Sequence, residues 1–263
     1  MAFFPSRDGL EACIQAGDGT GIFVVKGLQG EHITIRLQEV CSMLTLHGFA
    51  VSNYFNMVKL ALMEKGLEFK INTVFGSQDE SFLKMSPRGK VPCLETEHGF
   101  INETNVILEY LEDTQGGKAL LPADPYQRAV ARALTKEIEL YIELPARTCY
   151  PEVFFGGKVS DEVKEKARAD LLAGIATLKR HASFSPYVAG SEMTIADLMF
   201  LYSIDLAMGV GKKLFGLDLL AELPEAKALL AKLAENPNVQ SIEADKKAEM
   251  AAFIAAAQAK VKK

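Results

Sequence analysis

The stretch S-P-R-G-K-V-P-C-L-E-T-E-H-G-F-I-N-E-T, from Ser86 to Thr104, decides how the rest of the chain is read. Pro92 leads into a short run of strand formers. A proline removes a backbone donor from a sheet, so this position belongs at an edge or at a cis turn whose neighbouring backbone groups are free. Pro92 to Glu95 and Gly99 to Asn102 then read as two brief strands around the turn E-T-E-H-G, which makes a hairpin. Glu103 and Thr104 follow at the head of a helix. Its residues Val106, Ile107, Tyr110 and Leu111 share one side, and Gly116-Gly117 ends it. Taken alone, V-P is an ordinary turn proline and Glu103-Thr104 an ordinary helix cap. The free N–H groups and dipole of a helix start also favour an anion, so a ligand carboxylate fits there as well.

Upstream, the apolar strand L-T-L-H (Leu44 to His47) passes through Gly48 to Ser52, where a helix begins. Phe55, Val58 and Leu62 give that helix one buried face, and Gly66 stops it after Lys65. The run Glu68 to Val74 is a second strand one helix away, hence parallel to the first. A short helical piece, Asp79 to Met85, precedes the hairpin. The order β-α-β-α-β-β-α is thioredoxin-like. After the linker L-P-A-D-P (Leu121 to Pro125) strand signals cease. Val163, Ala167, Leu171, Ile175 and Leu178 trace one helical stripe, and Pro224 introduces another through Ala226, Leu229, Leu230 and Leu233 that stops before Pro237. In M-T-I-A-D-L, Thr194 and Asp197 form a capping box, with Met193 and Leu198 as its hydrophobic staple. The predicted fold is an α/β thioredoxin-like N-terminal domain plus an all-α C-terminal helical domain. The expected boundaries are 43–120 for the first, 121–125 for the linker and 126–263 for the second.

A chain of 263 residues, 49% hydrophobic and 24% charged, can bury a sizeable core. Its formal net charge of -5 argues against gripping nucleic acid or an anionic membrane through a broad basic face. No apolar run approaches the length of a membrane span, and the start carries no leader pattern, so a cytoplasmic location is expected. Cys13, Cys41, Cys93 and Cys149 show no metal or disulfide spacing, so no metal is expected and each reads as a reduced, buried hydrophobe.

Residues 1–42 differ from the rest: six glycines, two short alternating stretches and no helical period. G-D-G-T-G (Gly17 to Gly21) lacks the lysine and following helix of a phosphate loop and reads as a turn. The segment is expected to be an N-terminal extension of uncertain origin. Met43 directly precedes the first strand, and codons for Gln38, Glu39 and Val40 can hold a purine-rich ribosome-binding sequence.

With S-P-R-G-K-V-P, the E-T helix start and G-F-A-V-S-N-Y (Gly48 to Tyr54) in this arrangement, the chain resembles the glutathione S-transferase family, cytosolic and bacterial-like, with a serine-type active site. The resemblance covers about residues 43–245, where P-Y-Q-R-A (Pro125 to Ala129) and T-I-A-D (Thr194 to Asp197) also fit. It implies a cis-Pro92 that lets Val91 exchange backbone hydrogen bonds with the cysteinyl part of glutathione. It further implies that Thr104 holds the γ-glutamyl carboxylate, that Glu103 helps neutralise the amine, and that Lys90 lies near the glycyl carboxylate. Attack on an electrophile needs the thiolate, and a hydroxyl at a helix start favours that anion, which is the role implied for Ser52. As a plain N-cap Ser52 would need no such role.

Serine-type members often continue with proline or threonine and then a basic residue, whereas here Asn53, Tyr54, Phe55 and Asn56 follow. Asn53 can be the donor, and Tyr54 can reach the sulfur or line the second pocket. No cysteine sits in this turn, which counts against thiol-disulfide exchange, and Cys93 is assigned to the core. Tyr141, Arg147, Tyr150, Phe154 and Phe155 are candidates for the electrophile pocket on a helix that Pro145 and Pro151 would bend. The function implied is glutathione S-transferase, with glutathione as co-substrate, a small hydrophobic electrophile, and a homodimeric, detoxifying enzyme. A glutathione-dependent peroxidase, isomerase or dehalogenase would use the same peptide site, and a non-catalytic binding protein would keep only the fold.

Overall fold

The computed structural model describes residues 22–26, 32–36 and 43–261, with side chains in the last helix described as far as residue 255. The turn expected at Gly17–Gly21 and the burial expected for Cys13 and Cys41 lie outside the described residues. Residues 1–42 and 43–263 are separate compact units. In the first, β1 (Ile22–Lys26) pairs antiparallel with β2 (His32–Arg36).

The second unit opens with β3 (Leu44–Gly48), α1 (Asn53–Glu64) and β4 (Phe69–Thr73), and β3 and β4 are parallel as a β-α-β unit requires. A short α2 (Glu80–Leu83) precedes the hairpin of β5 (Cys93–Thr96) and β6 (Gly99–Asn102), and α3 (Thr104–Thr114) closes the domain. The sheet order is β4-β3-β5-β6, with β5 antiparallel to β3. This is the thioredoxin-like arrangement. Leu46 and Leu94 point from the sheet into the core, where they meet α1 and α3.

The single buried face expected for α1 is too modest. Phe55, Asn56, Met57, Val58, Lys59, Leu60, Ala61 and Leu62 are all buried, because the helix packs on α3 and also on two helices of the helical domain, α8 (Ile195–Phe215) and α10 (Pro237–Val261). Each large apolar side chain so covered stabilises the fold by about 1.5–3 kcal/mol, and a helix buried all round ties the two layers into one body. Lys59 survives this burial by pairing with Asp245 at 2.5 Å.

The helical domain begins with α4 (Pro125–Ile138), capped by Asp124 on the Gln127 N–H. The helix then widens into a π-helical turn over Glu139–Glu143, continues as α5 (Leu144–Arg147), and restarts as α6 (Tyr150–Phe155). Pro145 and Pro151 each stand in the first turn of the piece they begin, where a missing N–H costs nothing. The bend expected of them is therefore a segmentation. At Gly174 the next helix, α7 (Asp161–His181), comes so close to the Tyr141 carbonyl that a Cβ would collide with it. Within α7, Ala167, Leu171, Ile175 and Leu178 are buried as the stripe predicts, but Val163 lies in the first turn and is exposed.

Three further helices complete the unit: α8 (Ile195–Phe215), α9 (Pro224–Ala234) and α10 (Pro237–Val261). The capping box at α8 is present. Asp197 accepts the Thr194 N–H and hydroxyl and also the Val188 N–H, so one buried carboxylate joins the helix start to the preceding loop. Among the described residues, no helix is long and apolar enough to cross a membrane.

Candidate active site

A cleft of about 1730 Å³ runs between the thioredoxin-like domain and the helices. Its first wall is the turn from β3 into α1. Gly48 brings the chain over the Phe55 ring, and the turn is pinned from both sides: Asn56 donates to the Ala50 carbonyl at 2.8 Å, and Glu249 of α10 accepts the Ala50 N–H at 3.0 Å. Ser52 stands at the helix N-cap, where its hydroxyl accepts the Phe55 N–H at 3.3 Å. No acidic side chain occupies the first turn of α1, so its free N–H groups and positive dipole end remain available to an anion in the cleft.

The second wall is the loop that carries the opening motif. The buried Ser86 hydroxyl donates to the Lys90 carbonyl at 2.8 Å and accepts the Lys90 N–H at 3.1 Å, which folds S-P-R-G-K into a closed turn. Gly89 supplies the positive φ of 64° that this turn needs, packed against Ser77 and Gln78. Lys90 is left exposed at the rim. The Val91–Pro92 bond is cis, and Val91 lies in the cleft lining. Among the described residues its N–H and carbonyl have no backbone partner.

The third wall is the start of α3. Glu103 adopts φ 67° and ψ 118°, an uncommon conformation for a residue with a side chain, and it makes no side-chain capping bond. Such strain costs of order 1–3 kcal/mol and persists where the surroundings impose it. Its effect is to leave the first N–H groups of α3 uncapped, with Thr104 buried directly behind and facing the cleft. Glu103 itself is exposed, which suits a carboxylate that meets a cation from solution.

Across the cleft, Arg147 occupies the end of α5. Its guanidinium lies 5.0 Å from the centroids of both the Tyr54 and Tyr150 rings. It bonds Glu143 Oε1 through Nε at 2.9 Å and Nη2 at 2.5 Å, and Nη2 also donates to Asn53 Oδ1 at 2.9 Å. The Tyr150 hydroxyl donates to the other Glu143 oxygen at 3.1 Å. Glu143 is fully buried, so its charge depends on these partners. Burial would lower the Arg147 pKa, but the Glu143 charge outweighs it and keeps the guanidinium firmly protonated. Burial and then the Glu143 charge push both tyrosine hydroxyls far above their ordinary range, so both stay neutral.

The remaining wall is aromatic. Phe49 stacks on Phe253 of α10 at 5.3 Å between ring centroids and lies 4.7 Å from Phe75, while Phe155 meets Phe253 edge-on at 6.0 Å. Phe154, Met250, Ile254 and Leu206 extend this apolar surface. Cys93 is buried on the sheet face opposite Leu94 and not in the main core to which its sequence assigned it: its Sγ contacts the Met85 carbonyl at 3.4 Å, and burial pushes its thiol up to about 11.

The cleft thus brings together Ser52, Asn53, Tyr54, Lys90, Val91, Pro92, Glu103, Thr104, Arg147 and Tyr150. Tyr141 is not brought there: it stands in the π-helical turn beside Gly174 with its side chain largely exposed. Sequence reasoning missed Glu143, Phe49, Phe75 and Phe253. Glu143 lies four residues before Arg147, a spacing shared by innumerable surface ion pairs. The phenylalanines converge from three distant segments with no common spacing.

Known proteins share the sequence pattern and the fold of this chain. The family model "Glutathione S-transferase, N-terminal domain" matches residues 46–119, and "Glutathione S-transferase, C-terminal domain" matches residues 157–245. A Pseudomonas putida F1 protein named glutathione S-transferase is 65% identical over 212 residues, 81% of this chain and 96% of that relative. A probable maleylacetoacetate isomerase of Caenorhabditis elegans is 32% identical over 151 residues, 54% of this chain and 68% of its own. Glutathione transferase E6 of Drosophila melanogaster shares the fold, with TM-score 0.65 at 24% identity over 82% of this chain and 97% of that one.

Proposed function

Because the chain belongs to the glutathione S-transferase family and is a glutathione S-transferase, we propose that Ser52 and Asn53 hold the glutathione sulfur as a thiolate at the start of α1. The observation that carries this reading is the convergence, in one cleft, of a hydroxyl at the N-terminus of α1, the unpaired backbone of Val91 and the uncapped start of α3. The peptide of glutathione lies between them. Val91 exchanges N–H and carbonyl bonds with its cysteinyl residue, Thr104 and the α3 N–H groups take the γ-glutamyl carboxylate, Glu103 meets the amine, and Lys90 meets the glycyl carboxylate.

The sulfur then sits over Ser52 with donors on one side and the aromatic wall on the other. Donors aimed at an anion in an apolar site lower the thiol pKa, so the nucleophile is ready at neutral pH. A small hydrophobic electrophile packs against Phe49, Phe155 and Phe253, with Tyr54 and Tyr150 at the edge. The thiolate attacks its electrophilic carbon, forming the C–S bond of a thioether as the bond to a leaving group such as halide breaks and that group departs as an anion. The buried, high-pKa Cys93 offers no second thiolate for disulfide exchange. The enzyme acts in the cytoplasm as a homodimer in detoxification.

The test is steady-state conjugation of a halonitroarene together with glutathione calorimetry. Ser52→Ala is expected to lower kcat by about 10- to 1000-fold, the cost of one donor to a developing anion, while glutathione affinity stays nearly intact. An unchanged kcat removes Ser52 from the chemistry, and absence of glutathione binding at millimolar ligand removes the reading altogether.

A further inference from the structure

We propose that Arg147 is a positioning residue: it turns the oxygen of the Asn53 amide away from the sulfur, so that Asn53 presents only N–H to the thiolate. The inference rests on the reading that the sulfur lies at the start of α1. A primary amide beside an anion can help or harm, since its N–H donates while its oxygen repels. The sequence alone leaves that choice open. In the structure two neighbours make it. Arg147 Nη2 can only donate, and it holds Asn53 Oδ1 at 2.9 Å; the Tyr202 carbonyl can only accept, and it lies 3.4 Å from Asn53 Nδ2. Reversing the amide would set two donors face to face at Arg147 and two acceptors face to face at Tyr202. One Asn53 N–H is left for the cleft.

Arg147 can do this because it is itself immobilised. Its guanidinium lies over the Tyr54 and Tyr150 rings, and the fully buried Glu143 takes both Nε and Nη2, with the Tyr150 hydroxyl completing the carboxylate. The same bonds argue against the guanidinium as an anchor for an anionic electrophile. Its charge is matched by Glu143 at contact distance. Glu139 and Glu103 also act on Tyr54 alongside Glu143. The contribution of Arg147 is therefore geometric, transmitted through one amide.

The experiment titrates bound glutathione by the ultraviolet absorbance of its thiolate. It compares the wild type with Arg147→Lys and with the double variant Glu143→Gln/Arg147→Met, which removes the cation without leaving a buried carboxylate unpaired. Thermal melting establishes that each variant is folded. The double variant is expected to raise the thiolate midpoint by about one pH unit, which is tenfold in the acid constant of the thiol. Its kcat should fall by up to that factor at pH below the midpoint and recover as pH rises, while KM for glutathione changes by less than about twofold. Arg147→Lys, which keeps a donor for Asn53 Oδ1, should stay within about threefold of wild type; should the double variant not fold, a wild-type midpoint in Arg147→Lys combined with Asn53→Ala overturns the proposal. Adding Asn53→Ala to a folded double variant should change nothing further, because both act through one group. A wild-type midpoint in the folded double variant, when Ser52→Ala does move it, overturns the role of Arg147 alone. A midpoint that no change at Ser52, Asn53 or Arg147 moves overturns the placement of the sulfur as well.

Discussion

Thr104 illustrates how a single side chain acquires a binding role from its surroundings. It is buried at the first position of α3, and among the described residues no protein group bonds its hydroxyl, while the strained Glu103 leaves the adjoining N–H groups uncapped. A structural cap would turn its oxygen onto its own helix, as Asp124 and Ser160 do. Thr104→Ala should weaken glutathione binding by about 1 to 2 kcal/mol, or roughly 5- to 30-fold in Kd by calorimetry, with the melting temperature nearly unchanged. An unaltered affinity would refute the carboxylate role. At this scale the sequence is informative where a motif carries the residue: Ser52, Val91, Glu103 and Thr104 all appear in it as candidates. It is silent where chemistry depends on what lies opposite. Arg147 and Tyr150 are visible as polar residues on a helix, but the orientation of Asn53 depends on a carboxylate, Glu143, whose burial no local pattern announces.

Elements were legible to the extent that their signals are local. The β-α-β-α-β-β-α order, the capping box at Thr194 and the breaks at Pro145 and Pro151 follow from residues within a few positions of one another. The all-round burial of α1 does not, because Lys59 and the C-cap Lys65 are paired with Asp245 and Glu112, partners far along the chain. The C-terminal end of this helix makes the point in numbers. Glu64 accepts Lys118 at 2.8 Å, Asn236 at 2.7 Å and Asn238 at 2.8 Å, so one carboxylate joins α1 to the start of α10. Burial pushes the Glu64 pKa up, but the three hydrogen bonds outweigh it and hold the group below its ordinary value of 4.5. A carboxyl depressed in the folded state stabilises above its unfolded pKa and loses that contribution as pH falls through the folded one. The melting temperature of wild type should therefore exceed that of Glu64→Gln by a constant margin above about pH 5, and the margin should shrink below about pH 4. A margin independent of pH would mean that the carboxylate is not held ionised by these bonds.

For the molecule as a whole, every described core residue of the large unit falls between Leu44 and Ile242, and the cleft is lined by residues from Phe49 to Ile254. A chain beginning at Met43 should accordingly fold alone. Its melting temperature and glutathione affinity are expected to match those of the full 263 residues within error, and a loss of either would assign residues 1–42 a part in the fold. What ties this unit together is long-range. Glu249 reaches back across 199 positions to the Ala50 N–H, Asp245 to Lys59, and Phe253 to Phe49. This reach sets a clock on biosynthesis. A ribosome adding about 5–20 residues per second delivers the serine turn some 10 to 40 seconds before the carboxylate and aromatic ring that fasten it. For the larger part of that interval the sequence of the thioredoxin-like half is complete, while the Glu249 and Phe253 that fasten its first turn are still to come.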